Sequence, residues 1–408
     1  MQFRPPPNDT PTTATTITTT NNNVHPDETA SSKRVRFEIG HQPITNLILN
    51  HDCIILTFDE EIKVYSALTG TLLQTLTGHQ GIVWASSLHK ETNTLITGGT
   101  DRTIRVWDLE AGVCTHVFKA HTSTIRTAQI IAPINVNRHN PLLSPKYEPE
   151  FPIIIAGSRD TSLSVWRLPI QELNGHLSAT EQQNWFLHRL EGHTQTIRDI
   201  AAEGNLVASA SYDNTARIWS SHTGQLIHAL VGHELRLSTV VLDTANRQCF
   251  TGSEDSTIRV WSLDTGSSLH ILTGHTGVVG ELRLNGNFLV SKSRADGTVK
   301  VWDPLTANLL LTLGSSTPGT GLPIQAVQHD STKLVTGATG AIQTWDIRTG
   351  QLLDETKEEM DTIYQLAYDC RRRVVAGNVS VAIQGSFLYT LAKTFLEILD
   401  YEVEDTTQ

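Results

Sequence analysis

The chain has 408 residues, 38% hydrophobic and 18% charged, and a formal net charge of −11. It can build a core, but it lacks the run of about 18 apolar residues that would span a membrane, and its opening residues lack the apolar stretch of a secretory signal. The acidity argues against general nucleic-acid binding. The scattered Cys53, Cys114, Cys249 and Cys370 form neither a disulfide framework nor a zinc site, and suit a reducing compartment, nuclear or cytoplasmic.

Residues 1–32 are rich in Thr, Asn and Pro and poor in large apolar residues, which predicts a disordered tail. Lys33-Arg34-Val35-Arg36-Phe37-Glu38-Ile39 alternates polar and apolar residues like a half-buried strand. Its basic residues read as a solvated strand face rather than a nuclear localisation signal. Everything that follows, to about residue 402, repeats. A Gly-His or Ala-His pair precedes a strand, a turn with Asp, and a strand ending in Trp. The marks are His79, Asp101 and Trp107; His121, Asp160 and Trp166; His193, Asp213 and Trp219; His233, Asp255 and Trp261; and His275, Asp296 and Trp302. Each Asp stands six residues before its Trp, and the Trp spacing is near 42. Degenerate units end at Tyr65, at Trp345-Asp346 and at Leu396-Glu397-Ile398-Leu399-Asp400. Long intervals carry expected insertions at 132–152 and 169–188, and 403–408 is a second tail.

These marks resemble the WD40 repeat, whose unit is a four-stranded propeller blade. The fold class is therefore all-β, an eight-bladed propeller over 33–402. Such a ring must not leave its first and last sheets with open edges. The strand at Val35–Ile39 is expected to supply the outer strand of the last blade.

Histidines and aspartates that recur in every full unit are not a catalytic set, because a catalytic group is needed once. We expect a buried hydrogen-bond chain running from each His through the turn Asp toward the Trp-bearing strand. No nucleophile elbow, phosphate-binding loop or metalloprotease helix occurs, so we expect no enzyme, no cofactor and no metal.

Five residues beyond each of the five histidines stand Trp84, Arg126, Arg198, Ser238 and Gly280. In a propeller this position opens the innermost strand, near the mouth of the channel. The turn beside each Asp reaches the same face and brings Thr100 and Arg102, Arg159 and Thr161, Tyr212 and Glu254. Arg102, Arg126, Arg159 and Arg198 thus come from three consecutive blades and are expected to converge, with Arg236 at their border. Clustered like charges in an acidic protein call for an anionic partner, and the guanidinium fork suits phosphate oxygens.

The runs Thr100-Asp101-Arg102-Thr103-Ile104-Arg105-Val106-Trp107, His121-Thr122-Ser123-Thr124-Ile125-Arg126 and Gly157-Ser158-Arg159-Asp160 resemble the fungal F-box/WD-repeat cell-division-control substrate receptors of Skp–cullin–F-box ubiquitin ligases. The resemblance covers about residues 35 to 402. It implies that Arg126, Arg159 and Arg198 bind the phosphate of a phosphodegron, and that Arg102, Thr100, Thr124, Trp84 and Tyr212 complete the pocket. The family commonly has Tyr where this chain has Ser238. The expected partners are phosphorylated protein substrates, with no nucleic acid and no membrane. Ligase components are a further possible partner, but the first 40 residues hold no pattern for F-box helices. The alternative is a general WD-repeat scaffold that assembles a multiprotein complex.

Overall fold

The computed structural model describes residues 32–40, 44–137, 144–170, 185–293, 295–314, 324–338, 340–357, 362–368, 372–383 and 389–401. Both expected tails, Ser32 apart, lie outside the described residues, as do 138–143 and 171–184 of the two insertions.

The second strand of each blade explains much of the sequence pattern. Thr94–Gly99 and Ile153–Ser158 are buried at every position. A strand covered on both faces must be apolar or small throughout. The fourth strands, such as Val113–Phe118, alternate exposed and covered residues because one face meets solvent. These strands form eight four-stranded antiparallel sheets. We number them as blades: blade 1 (46–77), blade 2 (83–118), blade 3 (125–190), blade 4 (197–231), blade 5 (237–272), blade 6 (279–313), blade 7 (326–357) and blade 8 (362–401). Each blade's first strand lies against those of both neighbouring blades, and that of blade 8 meets Asn46–Leu49 of blade 1, so the ring closes. The fourth strand of blade 8 is Ser32–Gly40, which pairs antiparallel with Tyr389–Tyr401, Val35 opposite Ile398 and Phe37 opposite Leu396. The expected closure is observed.

The core lies between blades. One cluster joins Ile96, Ile104 and Val106 of blade 2 to Ile125, Ile154 and Trp166 of blade 3. Another joins Ile54, Leu56 and Tyr65 of blade 1 to Val374, Leu396 and Ile398 of blade 8. Packing is close enough to demand glycine at Gly157, where an added Cβ would stand 2.8 Å from Ile197. Polar side chains clasp adjacent first strands. Gln129 accepts from the Ala202 amide and donates to the Ala202 carbonyl, both at 3.1 Å. Asp199 accepts from the Val240 amide at 3.0 Å, and its burial raises its pKa despite that bond.

The recurring histidines and aspartates are structural, but their order differs from the expected one. Asp213 accepts from His193 Nδ1 at 2.8 Å, His193 Nε2 meets Ser209 Oγ at 2.8 Å, and Trp219 Nε1 donates to Ser209 Oγ at 2.9 Å. The Asp therefore ends the chain, and a second-strand hydroxyl joins His to Trp. Thr97, Thr251 and Ser291 do the same in blades 2, 5 and 6. A neutral His with its proton on Nδ1 satisfies every member. Burial holds the pKa of His233 and His275 below the ordinary value, which favours that neutral form. Burial acts to raise the Asp213 pKa, but its hydrogen bonds from His193, Thr215 and Thr194 hold it well below the usual carboxylate range.

Blade 3 moves two parts of this device by one strand. Ala156 stands where the other full blades have the hydroxyl, and Ser164, its cross-strand partner, meets His121 Nε2 at 2.8 Å instead. In blade 2 the corresponding third-strand residue is Arg105, whose guanidinium lies 3.9 Å from Asp101. In blade 3 Arg189, opposite Ser164 on the fourth strand, takes that place 3.9 Å from Asp160. Trp166 Nε1 is left buried without a partner, and the ring stacks on Phe118 at 4.4 Å. The insertions also differ in extent from expectation. Ile134–Asn135 and Tyr147–Glu148 form a small hairpin in the first. The second ends earlier than expected, because Phe186–Leu190 pairs with Leu163–Arg167 as the fourth strand.

Two outcomes follow from this network. Asp213→Ala unpairs His193 and the Thr194 and Thr215 amides, and should lower unfolding stability by about 1–3 kcal/mol in a denaturant titration. Trp219→Phe should cost about 1 kcal/mol more than Trp166→Phe, because only Trp219 gives up a hydrogen bond. Equal losses would show that the indole bond contributes nothing.

Candidate functional site

The rim is built by the turns that the aspartates hold. Asp213 is anchored inward, so the residues on either side of it face the other way. The residue before each Asp is pinned to the start of the first strand by one backbone bond. Thr100 N donates to Ile82 O, Arg159 N to Thr124 O, Tyr212 N to Thr196 O and Glu254 N to Arg236 O, each at 2.9 Å. The residue after each Asp is left-handed, with φ of 66° at Arg102, 72° at Thr161 and 67° at Asn214.

The other half of the rim comes from a defect in pairing. The register skips one residue between Val83 and Ala85, Ile125 and Thr127, Ile197 and Asp199, Leu237 and Thr239, and Val279 and Glu281. The skipped residues are Trp84, Arg126, Arg198, Ser238 and Gly280. A β-bulge turns its extra side chain out of the ladder, so these five are set toward the mouth. The count of five from each His located the position in sequence; the bulge that makes it useful has no sequence mark.

Five of the eight expected site residues are brought together. The Arg126 guanidinium lies over the Trp84 ring at 4.4 Å. Burial lowers its pKa, as do the neighbouring charges of Arg198 and Arg159, while Tyr212 acts in the opposite direction. Arg126, Arg159, Arg198, Trp84 and Tyr212 therefore share one site across blades 2 to 4. Thr124 receives the backbone bond of Arg159 and lies in the same blade. Thr100 faces Gly81 on the blade 2 turn. Arg102 is exposed on the same turn. Arg236, on blade 5, lies over the Tyr212 ring at 5.1 Å and so borders the cluster from the far side.

Among the described residues, arginine ion pairs form elsewhere, at Arg105, Arg189, Arg247, Arg283 and Arg373. The five rim arginines enter none of them. Guanidiniums held together outside ion pairs repel one another and attract anions. A cavity of about 400 Å³ along the first strands of blades 3 to 6 includes none of them in its lining. No group of three or more His, Cys, Asp or Glu among the described residues is placed to hold a metal. No helix of the structure is long and apolar enough to cross a membrane.

Four segments, 70–108, 184–220, 224–262 and 266–303, match the family described as WD domain, G-beta repeat. The run that holds His121, Asp160 and Trp166 falls outside them, in the blade with the shifted network. The chain is 36% identical over 360 residues to WD repeat-containing protein pop1 of Schizosaccharomyces pombe, covering 83% of this chain and 45% of that protein. It is 32% identical over 392 residues to Cell division control protein 4 of Saccharomyces cerevisiae, covering 89% and 47%. To the Candida albicans protein of the same name it is 36% identical over 369 residues, covering 89% and 52%. The chain thus spans about half the length of these relatives. Among solved structures, the computationally designed Ika8 protein superposes with a TM-score of 0.66 at 26% identity, over 87% of this chain and 96% of that one.

An unpaired cationic rim predicts a simple solution behaviour. Millimolar inorganic phosphate should raise the melting temperature, because a ligand that binds only the folded state stabilises it. Arg159→Ala should abolish most of that rise in a thermal-shift measurement. An equal rise in the variant would place the bound anion elsewhere. The chain is an eight-bladed WD-repeat propeller, similar over most of its length to the pop1 protein and the cell division control proteins 4 of fungi.

Proposed function

We propose that this propeller is a substrate reader for a ubiquitin ligase, which binds phosphorylated peptide segments of the phosphodegron type at its arginine rim. One observation carries the reading. Arg126, Arg159 and Arg198 converge from blades 3 and 4, next to Trp84 and Tyr212, and none of the three enters the arginine ion pairs described above. A phosphorylated Ser or Thr brings about −1.5 to −2 charges and three acceptor oxygens, which matches three guanidiniums. Trp84 holds Arg126 in place through its ring face, and its remaining surface offers an apolar wall beside the phosphate. The resemblance to fungal F-box/WD-repeat receptors supports the link to ubiquitin ligases. We assign the activity to the nucleus or cytoplasm, where phosphorylated protein partners and reduced cysteines coexist.

The test is fluorescence polarisation with two matched peptides, one carrying phosphothreonine followed by proline and one unphosphorylated. We expect binding of the phosphorylated peptide alone, weakening as salt rises because partly exposed ion pairs are screened. Each hydrogen bond to a charged partner contributes about 1.5–3 kcal/mol. Arg126→Ala, Arg159→Ala or Arg198→Ala should therefore weaken binding about tenfold to a hundredfold. Arg→Lys at these positions should weaken it too, since an ammonium cannot form the two-pronged contact. Equal affinity for the two peptides, or Arg159→Ala binding like the unaltered protein, would leave only a general scaffold.

A further inference from the structure

Ser or Thr stands directly before Pro at three places in the chain, Thr10-Pro11, Ser144-Pro145 and Thr317-Pro318, and only Ser144-Pro145 lies among the described residues. It sits on the small hairpin that blade 3 inserts between its first two strands. There Ile134–Asn135 pairs with Tyr147–Glu148, Val136 N donates to Lys146 O at 2.8 Å, and Asn135 Oδ1 accepts from the Lys146 amide at 3.2 Å. The ladder goes no further toward the tip. Asn137 Nδ2 donates to Ser144 O at 2.7 Å, and Ser144, Pro145 and Lys146 are all exposed. The segment is also acidic. Residues 144–150 set Lys146 against Glu148 and Glu150, and the Lys146 ammonium already lies 2.6 Å from Glu148 Oε1. A phosphate on Ser144 would add about −1.5 to −2 charges to it.

This hairpin and the arginine rim stand at opposite ends of blade 3. Arg126 and Arg159 follow the end at which Ile125 pairs with Ser158, whereas the hairpin leaves from the end at which Ile131 pairs with Ile153. Six strand steps, roughly 20 Å, separate the two ends. Glu148 O lies 4.0 Å from a Cβ built on Gly204, in the turn that joins the first two strands of blade 4. The hairpin therefore belongs to the face away from the arginines, and the paired base ties Ser144 there.

We infer that Ser144 is a phosphorylation site for a proline-directed kinase, and that the phosphorylated hairpin of one copy is read by Arg126, Arg159 and Arg198 of a second copy. The inference rests on the phosphopeptide reading above. The transfer joins Ser144 Oγ to the γ-phosphorus of a nucleoside triphosphate, breaks the bond from that phosphorus to the oxygen bridging it to the β-phosphate, and releases the diphosphate and the hydroxyl proton. The phosphate and the rim are different patches of one molecule, so the contact runs head to tail and each copy offers one patch of each kind. A phosphorylated copy occupies a rim that a substrate would otherwise use. The modified protein thus withholds itself from its substrates as its concentration rises.

The test has two arms, both on the full chain. In the first, a proline-directed kinase and ATP act on the folded protein, with Ser144→Ala as the blank. We expect phosphate on Ser144 by mass spectrometry, and a chain that stays unmodified there overturns the site. In the second, phosphoserine is placed at position 144 during synthesis, and association is followed by sedimentation velocity. A chain with that phosphoserine and Arg159→Ala can donate but reads poorly, and the unmodified chain can read but not donate. We expect their mixture to form a one-to-one complex, dispersed by excess phosphothreonine-proline peptide. The donor chain alone should associate about tenfold to a hundredfold more weakly. A mixture that stays monomeric while the unmodified chain binds the peptide overturns the inference and leaves the phosphate reading intact. A donor chain that associates with itself as strongly as the mixture places the contact away from the rim and overturns it as well. An unmodified chain that binds phosphorylated and unphosphorylated peptides alike overturns the parent reading, and this inference with it.

Discussion

The carboxylate at the turn of each full blade is the contact on which the rest depends. Asp213 accepts from the His193 ring, from the Thr194 and Thr215 amides and from the Thr215 hydroxyl. Four donors on one side chain fix a tight turn that joins the second and third strands to the segment entering the blade. The same bonds decide what the neighbours of Asp213 can do. With the carboxylate committed inward, Tyr212 is left for the mouth. Stability and recognition are thereby assigned to adjacent residues, so one can vary while the other stays.

The rim carries an electrostatic cost that this rigidity sustains. Arg126, Arg159 and Arg198 are held near one another, and both burial and mutual repulsion press on Arg126. In a loose segment such groups would swing into water or find a carboxylate. Here Arg126 is placed on a bulge, Arg159 on a turn bonded to Thr124 O, and the Trp84 ring takes up one face of the Arg126 guanidinium. The cost is offset by blade packing, including that of Ile125 and Ile197, which are fully buried directly before Arg126 and Arg198.

Much of this was legible in the residues. The spacing of one strand-ending mark from the next counts the blades even where the His and the Asp are missing. Blade 7 shows why: it lacks the His, yet Trp345 still donates to the Thr336 hydroxyl at 3.0 Å. The closing strand was legible because alternation in Lys33–Ile39 has no use outside a sheet. The order of the network was not, because Ser and Thr are common in strands and nothing marks Ser209 as the joint between His193 and Trp219. The shift in blade 3 was hidden for the same reason, since Ala156, Ser164 and Arg189 each look ordinary. The arginine site was partly legible. Counting from the histidines located Arg126 and Arg198, and the turn beside Asp160 located Arg159, but the bulges that set the first two carry no mark in the sequence.

The closing sheet imposes an order on the birth of the molecule. Ser32 pairs with Tyr401 and Gly40 with Thr394, so the earliest described strand must wait for the last. A ribosome adds about 5–20 residues per second, so that interval is roughly 20–70 s. Blades 1 to 7 can assemble one upon another as they emerge, since each packs on its neighbours. Throughout that time 32–40 is a bare strand edge in a crowded solution. Lys33, Arg34 and Arg36 give it three positive charges in four residues. Charges of one sign, lysine especially, are how exposed edges avoid pairing with the wrong chain. The same positive charges that read as a solvated face keep this edge charged until the last strand arrives, where Arg36 lies over the ring of Phe395, 4.6 Å away.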